Sequence, residues 1–211
     1  HVKKPTDSYG FAGWWPDPGS VAGIFILEHV KAIAQHRPVE VAFLQVRKCN
    51  TPWPRLIHTT AMEEGIRVHR IELRTPVRRF GIPARLARIA YRRLFAYCTK
   101  QGPIDLVHIH VRTDMTEQAL PVAKVMGLPV ILTEHNSYYH LGIRDLPTEQ
   151  QARERRAIRT WLSDPAITHM MPVSNDLMRV LERDYGVARD RMTVVGNVAA
   201  DVFHPGPPPT S

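Results

Sequence analysis

The chain has 211 residues, 44% of them hydrophobic, with 28 lysines and arginines against 20 acidic residues and a formal charge of +8. That length can bury a substantial core in one domain, and the positive balance favours an anionic partner such as phosphate, nucleic acid or an acidic membrane surface. Two cysteines, Cys49 and Cys98, form neither a disulfide framework nor a metal-ligand spacing, which points to a reducing, cytoplasmic setting; no apolar run approaches the ~20 residues that cross a bilayer, and no signal peptide is expected.

The opening "HVKKPTDS", residues 1–8, has no periodicity and is expected to be a tag or a trimmed terminus. A short, weakly patterned strand is expected within "YGFAGWW", residues 9–15, and a helix over 21–36. Runs rich in Val, Ile and Leu then predict strands at 39–46, 67–74, 106–111, 129–135, 167–174 and 192–198. Between them, amphipathic spacing predicts helices at 54–64, 82–100, 114–126, 147–162 and 174–185. Asp114 and Ser174 are suited to cap helix N-termini, with Glu117 completing a capping box on the first. Strand and helix alternate, and runs such as "PVIL" are apolar at consecutive positions, as parallel strands covered on both faces require. The expected fold class is α/β: a doubly wound, mainly parallel sheet of about seven strands with helices on both faces.

Right-handed crossovers put all the parallel strands' carboxyl ends on one edge, and ligands of such sheets sit outside that edge. Glu134, His135 and Asn136, which follow "PVILT" at once, would project there, together with His110, Ser174 and Asn197. The first loop, "WWPDPGSVAG", carries Gly19, Ser20 and Gly23 just before a helix; glycine permits close backbone approach and a helix N-terminus favours an anion, although the loop is not G-x-G-x-x-G and a simple turn explains it equally well. His108 and His110 share one sheet face like metal ligands, but no carboxylate or third histidine stands at a convincing spacing, so no metal or cofactor is expected.

Taken together, "PDPGSVAGIFILEHVKAIA", "LVHIHV", "PVILTEHN" and "MPVSNDLMRVLERDYGVARDRMTVVGNVAADVFHPGPP" resemble the N-terminal half of a GT-B glycosyltransferase of family 4, over nearly the whole chain. The resemblance implies a Rossmann-like acceptor-side domain over residues 9–203. Residues 204–211 would be a Pro-rich linker toward a second domain that grips the nucleotide sugar, and this portion alone would be inactive. It also implies that His135 reaches the donor sugar as a positioning and electrostatic group in retaining transfer. Gly23 falls in the glycine-rich first loop, where the usual Gly-Gly is Ala22-Gly23. Asn197 falls in the family's "NGVD" turn, whose Gly is Val198 here.

The densest positive charge lies over residues 74–100, with Arg78, Arg79, Arg85, Arg88 and Arg92. On a helical wheel Ile82, Leu86, Ile89, Ala90, Leu94 and Tyr97 form one arc, Arg93 intruding, while Arg85, Arg88 and Arg92 lie opposite beside Tyr91 and Phe95. Arginines among exposed aromatics suit an anionic membrane surface, which would place the protein peripherally on the inner membrane face, and a solvated surface helix packed by its apolar arc explains them equally well. A glycan or lipid-linked acceptor is what the resemblance implies, because glycosyltransferases of this architecture often meet such acceptors through a basic element of the first domain. No nucleic-acid reader is recognisable, so nucleic acid is not an expected partner. A non-catalytic sugar- or membrane-binding module and a GT-B sugar-nucleotide epimerase domain are the alternatives.

Overall fold

The computed structural model describes residues 8–12, 15, 23–76, 82–135, 137–139 and 141–197. The strands are β1 (Ser8–Ala12), β2 (Val39–Lys48), β3 (Arg55–Glu63), β4 (Ile66–Thr75), β5 (Ile104–His110), β6 (Val130–Glu134) and β7 (Ile167–Pro172). The helices are α1 (Ile24–Ala34), α2 (Ile82–Cys98), α3 (Ala119–Val125), α4 (Leu141–Arg144), α5 (Thr148–Leu162) and α6 (Asn175–Tyr185). One seven-stranded sheet has the order β3-β4-β2-β1-β5-β6-β7. Every neighbouring pair is parallel except β3 with β4.

Helices cover both faces because β2 is apolar on both. Val41 and Phe43 join a smaller core under α1 with Ile26, Val30 and Val68, whereas Ala42 and Leu44 belong to a larger core with residues of α2, α3, α5 and α6. The chain runs from β1 through α1 to β2 on one side, while β5 lies on β1's other side. Strand order thus reverses at β1, and the crevice beyond the carboxyl ends of β1 and β5 is the topological switch point.

Two segments depart from expectation. Residues 54–64, expected to be helical, form β3, which returns into β4 through the two-residue turn Glu64-Gly65, both at positive φ (49° and 77°). Those angles are the type I′ pattern that matches strand twist. β3 is a largely exposed edge strand, and with polar Thr and His on both faces it lacks the apolar alternation that would reveal a strand. Residues 192–197, expected to be a strand, instead run along β7: Met192 bridges Met170, and the Thr193 and Val195 N–H groups donate to the Met170 and Pro172 carbonyls.

The packing face of α2 is also turned from the one expected. Ala87, Ala90, Tyr91, Leu94, Phe95 and Cys98 are buried, with Tyr91 and Phe95 only 1% exposed, whereas Ile89 is 42% exposed. The two aromatics carry the largest apolar area on the helix, and burying them outweighs burying Ile89. Arg85, Arg88, Arg92 and Arg93 are exposed, so the basic face persists without its expected aromatics. Arg78 and Arg79 lie outside the described residues. Among the described residues no helix is long and apolar enough to cross a membrane.

Ser174 caps α6 as expected, its Oγ accepting from the Leu177 N–H at 3.1 Å. At the other expected cap, the reciprocal box forms one residue earlier. Thr113 Oγ1 accepts from the Thr116 N–H at 3.1 Å and Thr116 Oγ1 from the Thr113 N–H at 2.7 Å, while Glu117 pairs with Arg112.

Candidate functional site

Three elements deliver imidazoles to the crevice. α1 begins at Gly23, whose φ of 81° suits glycine, and its first turns present Phe25 and His29 four residues apart, hence on one helical face. β5 ends in His110, and β6 is followed at once by His135. The His135 ring lies 4.2 Å from that of Phe25, 5.7 Å from that of His29 and 6.0 Å from that of His110, and His29 is 5.6 Å from His110. One nitrogen from each of His29, His110 and His135 lies within 4.8 Å of the other two. Of the pair His108 and His110, only His110 belongs to this group, and packing supplies its other two members, His29 and His135.

His29 ties the cluster to the segment after β7, donating from Nε2 to the Gly196 carbonyl at 3.2 Å. Asn197 follows, exposed, and its side chain favours protonation of His135 against the stronger effect of burial. Burial first and the nearby His29 second hold the His135 pKa down at about 4. His110, wholly buried, is depressed well below the ordinary value by burial and by His108, His29 and His135. His108 stacks under His110 at 4.3 Å, meets Thr133 Oγ1 at 2.6 Å, and is lowered to about 3, chiefly by burial. At neutral pH these three rings are uncharged, so they offer hydrogen bonds or lone pairs rather than positive charge.

Glu134 does not share this role. It lies on the opposite sheet face, 1% exposed, where Oε1 accepts from the Arg112 N–H at 2.5 Å and from the Tyr139 hydroxyl at 2.8 Å. The Tyr185 hydroxyl in turn donates to the Tyr139 carbonyl at 2.5 Å. The carboxylate thus fastens the loops that follow β5 and β6, leaving His135 as the cleft-side group of "TEH". Val111, immediately after His110, has φ 60°, an uncommon conformation for a β-branched residue and one that marks the end of β5 as strained. Gly19, Ser20 and Asn136 lie outside the described residues, and Ser174 is engaged as a helix cap. The sequence reading passed over His29 and Phe25; their spacing in "IFILEHV" was a usable signal, but only the sheet shows which helical face looks inward.

The profile of Glycosyltransferase Family 4 matches residues 22–199. The chain belongs to that family. A comparison with curated proteins finds no match. Among solved structures, the catalytic domain of starch synthase IV from Arabidopsis thaliana, bound to ADP and acarbose, superposes with a TM-score of 0.59 at 15% identity, covering 91% of this chain and 51% of that one. Sucrose-phosphate synthase from Thermosynechococcus elongatus gives 0.56 at 11% identity, covering 90% and 48%. The UDP-GlcNAc 2-epimerase from Neisseria meningitidis, bound to UDP-GlcNAc, gives 0.52 at 13%, covering 90% and 46%. Such identities show the fold, and this family 4 domain is one Rossmann-like half of the GT-B architecture, spanning about half the length of the structures it matches.

Proposed function

We propose that this domain is the acceptor-side half of a retaining glycosyltransferase that moves a sugar from a nucleotide-sugar donor to a glycan or lipid-linked acceptor. The observation that carries the reading is His135, an uncharged imidazole at the carboxyl edge of a family 4 sheet, between the start of α1 and the Gly196-Asn197 segment. A neutral ring of this kind exchanges a hydrogen bond with a sugar hydroxyl and orients it, while the backbone N–H groups at the start of α1 suit donor phosphate or acceptor. Glu134 supports the site from behind through Tyr139 and the backbone of Arg112. The donor nucleotide would be gripped by a second domain reached through residues 204–211, so these 211 residues by themselves would not turn over. The exposed Arg85, Arg88 and Arg92 of α2 suit an anionic membrane surface at the inner face, each contributing about 1 kcal/mol at most.

The test is a panel of nucleotide sugars offered to the full-length gene product and, in parallel, to the 211-residue chain. Consumption of one donor by the full-length protein alone, with sugar appearing on an acceptor, supports the reading. His135→Ala should then lower turnover by about 10- to 100-fold with folding intact. Unchanged turnover removes His135 from the site. A second reading, sugar-nucleotide epimerase, is favoured by the UDP-GlcNAc 2-epimerase among the structural neighbours. It predicts an epimerised nucleotide sugar and no transfer in the same assay.

A further inference from the structure

We infer that His29, His110 and His135 form a binding site for a divalent transition-metal ion of the zinc class, and that an ion held there competes with the donor sugar for His135.

The geometry is favourable in three respects. First, three nitrogens at the corners of a triangle with 4.8 Å sides lie about 2.8 Å from its centre, against roughly 2.0–2.1 Å for a zinc–imidazole bond. In a tetrahedral site each nitrogen would lie about 1.9 Å from the triangle's centre, so closing the site asks each ring to move inward by about 0.9 Å or less, within the reach of small side-chain rotations. Second, the ligands come from α1, the end of β5 and the end of β6, three elements already fixed by the sheet. Ring orientation is thus prepared before an ion arrives. Third, the Gly196 carbonyl can only accept, so the His29 proton sits on Nε2 and the lone pair on Nδ1. An imidazole whose outer N–H is held by a backbone carbonyl is the arrangement that orients histidine ligands in metal sites.

The donor set selects the ion. Three imidazoles with no carboxylate among them suit zinc, cobalt, nickel or copper and not magnesium or calcium, which take oxygen ligands. Three nitrogen ligands leave a fourth tetrahedral position for water or an anionic oxygen. His29 and His110 are buried and His135 only partly so, which makes the side of His135 the entry path. An ion bound there uses the nitrogen that would otherwise meet the sugar. This competition, though not the site itself, rests on the transferase reading.

Cobalt(II) is the probe, because tetrahedral cobalt gives visible absorption bands and zinc then bleaches them by displacement. Titrated into the full-length protein, cobalt should bind at one equivalent with tetrahedral bands. His29→Gln and His135→Gln should each weaken binding by at least about 100-fold, above the roughly 10- to 100-fold typical of losing an outer hydrogen-bond partner. His36→Gln, at an exposed histidine of the same chain segment, should leave it unchanged. Urea unfolding of each variant separates lost ligation from lost folding. Cobalt binding of wild-type strength in both His29→Gln and His135→Gln, or no tetrahedral bands in the wild type, overturns the site. Bands lost in both variants while no nucleotide sugar is consumed leave the ion site standing and remove the transferase reading instead.

Discussion

Two buried histidine clusters lie at opposite ends of the same sheet, and they solve the burial of an imidazole in different ways. At the amino ends of β2 and β4, His69 spends both ring nitrogens on protein partners, meeting Glu40 Oε2 at 3.0 Å and Thr60 Oγ1 at 3.0 Å. Glu40 also accepts from Arg67 at 3.0 Å. The nearby Cys98 thiol is pushed up to about 12 by burial, with Glu40 adding to the effect, so it stays protonated. Although Glu40, His69 and Cys98 also bring three potential ligand atoms within 4.8 Å, this cluster is committed to holding β2, β3, β4 and α2 together. At the carboxyl edge, the rings of His108, His110 and His135 pack against other rings, and burial is the first cause that keeps them neutral. A buried histidine with a carboxylate is a tie. On the reading proposed above, the histidines gathered around one another at the carboxyl edge are the ones that meet a ligand.

The comparison can be broken by substitution. Glu40→Ala leaves His69 and Arg67 without their shared carboxylate and should cost about 3 kcal/mol in urea unfolding, with the edge cluster and any donor turnover per folded molecule unaffected. A loss below about 1 kcal/mol would show that the carboxylate is not the tie described here.

Acid should act through the other cluster. The folded pKa values of His108 (about 3) and His135 (about 4) lie below the ordinary 6.5, so the unfolded chain binds more protons between those values and 6.5. Stability therefore rises with pH through that window and is lost as pH falls below 6.5, at up to about 1.4 kcal/mol per pH unit for each histidine. His108→Gln, which cannot titrate, should flatten the slope measured by unfolding at a series of pH values. An unchanged slope would mean that His108 is not held neutral by burial.

Thr60→Val should have the smallest effect, about 0.5–1 kcal/mol, because it removes one hydrogen bond to His69 from an exposed edge strand. A cost equal to that of Glu40→Ala would instead make the hydroxyl and the carboxylate equal partners.

Much of the fold was legible before any coordinates. The runs within β2 (Val41 to Leu44) and β6 (Val130 to Leu132) are apolar at consecutive positions, the pattern of a parallel strand covered on both faces, whereas β4 was read from apolar residues that alternate with polar ones. Ser174 announced itself as a cap because capping is a local backbone event. β3 was hidden because an edge strand with two polar faces leaves no period to read, and the cap before α3 shifted by one residue because Thr113 and Thr116 satisfy each other better than Asp114 and Glu117 could. The face of α2 was misjudged because two apolar arcs overlap on that helix. Only contact with β2, β4 and α3 selects the one that buries Tyr91 and Phe95.

The candidate site divides along the same line. The sequence by itself determined that His110 and His135 stand at the carboxyl ends of consecutive strands, His110 as the last residue of β5 and His135 as the one after β6, since strand length and apolar content are properties of short segments. Tertiary structure alone decided that His29 meets them and that Glu134, beside His135 in the chain, faces away to hold Tyr139. The alternation of side chains along a strand sends adjacent residues to opposite faces, and only the packing of α1 against one of those faces makes that face a site.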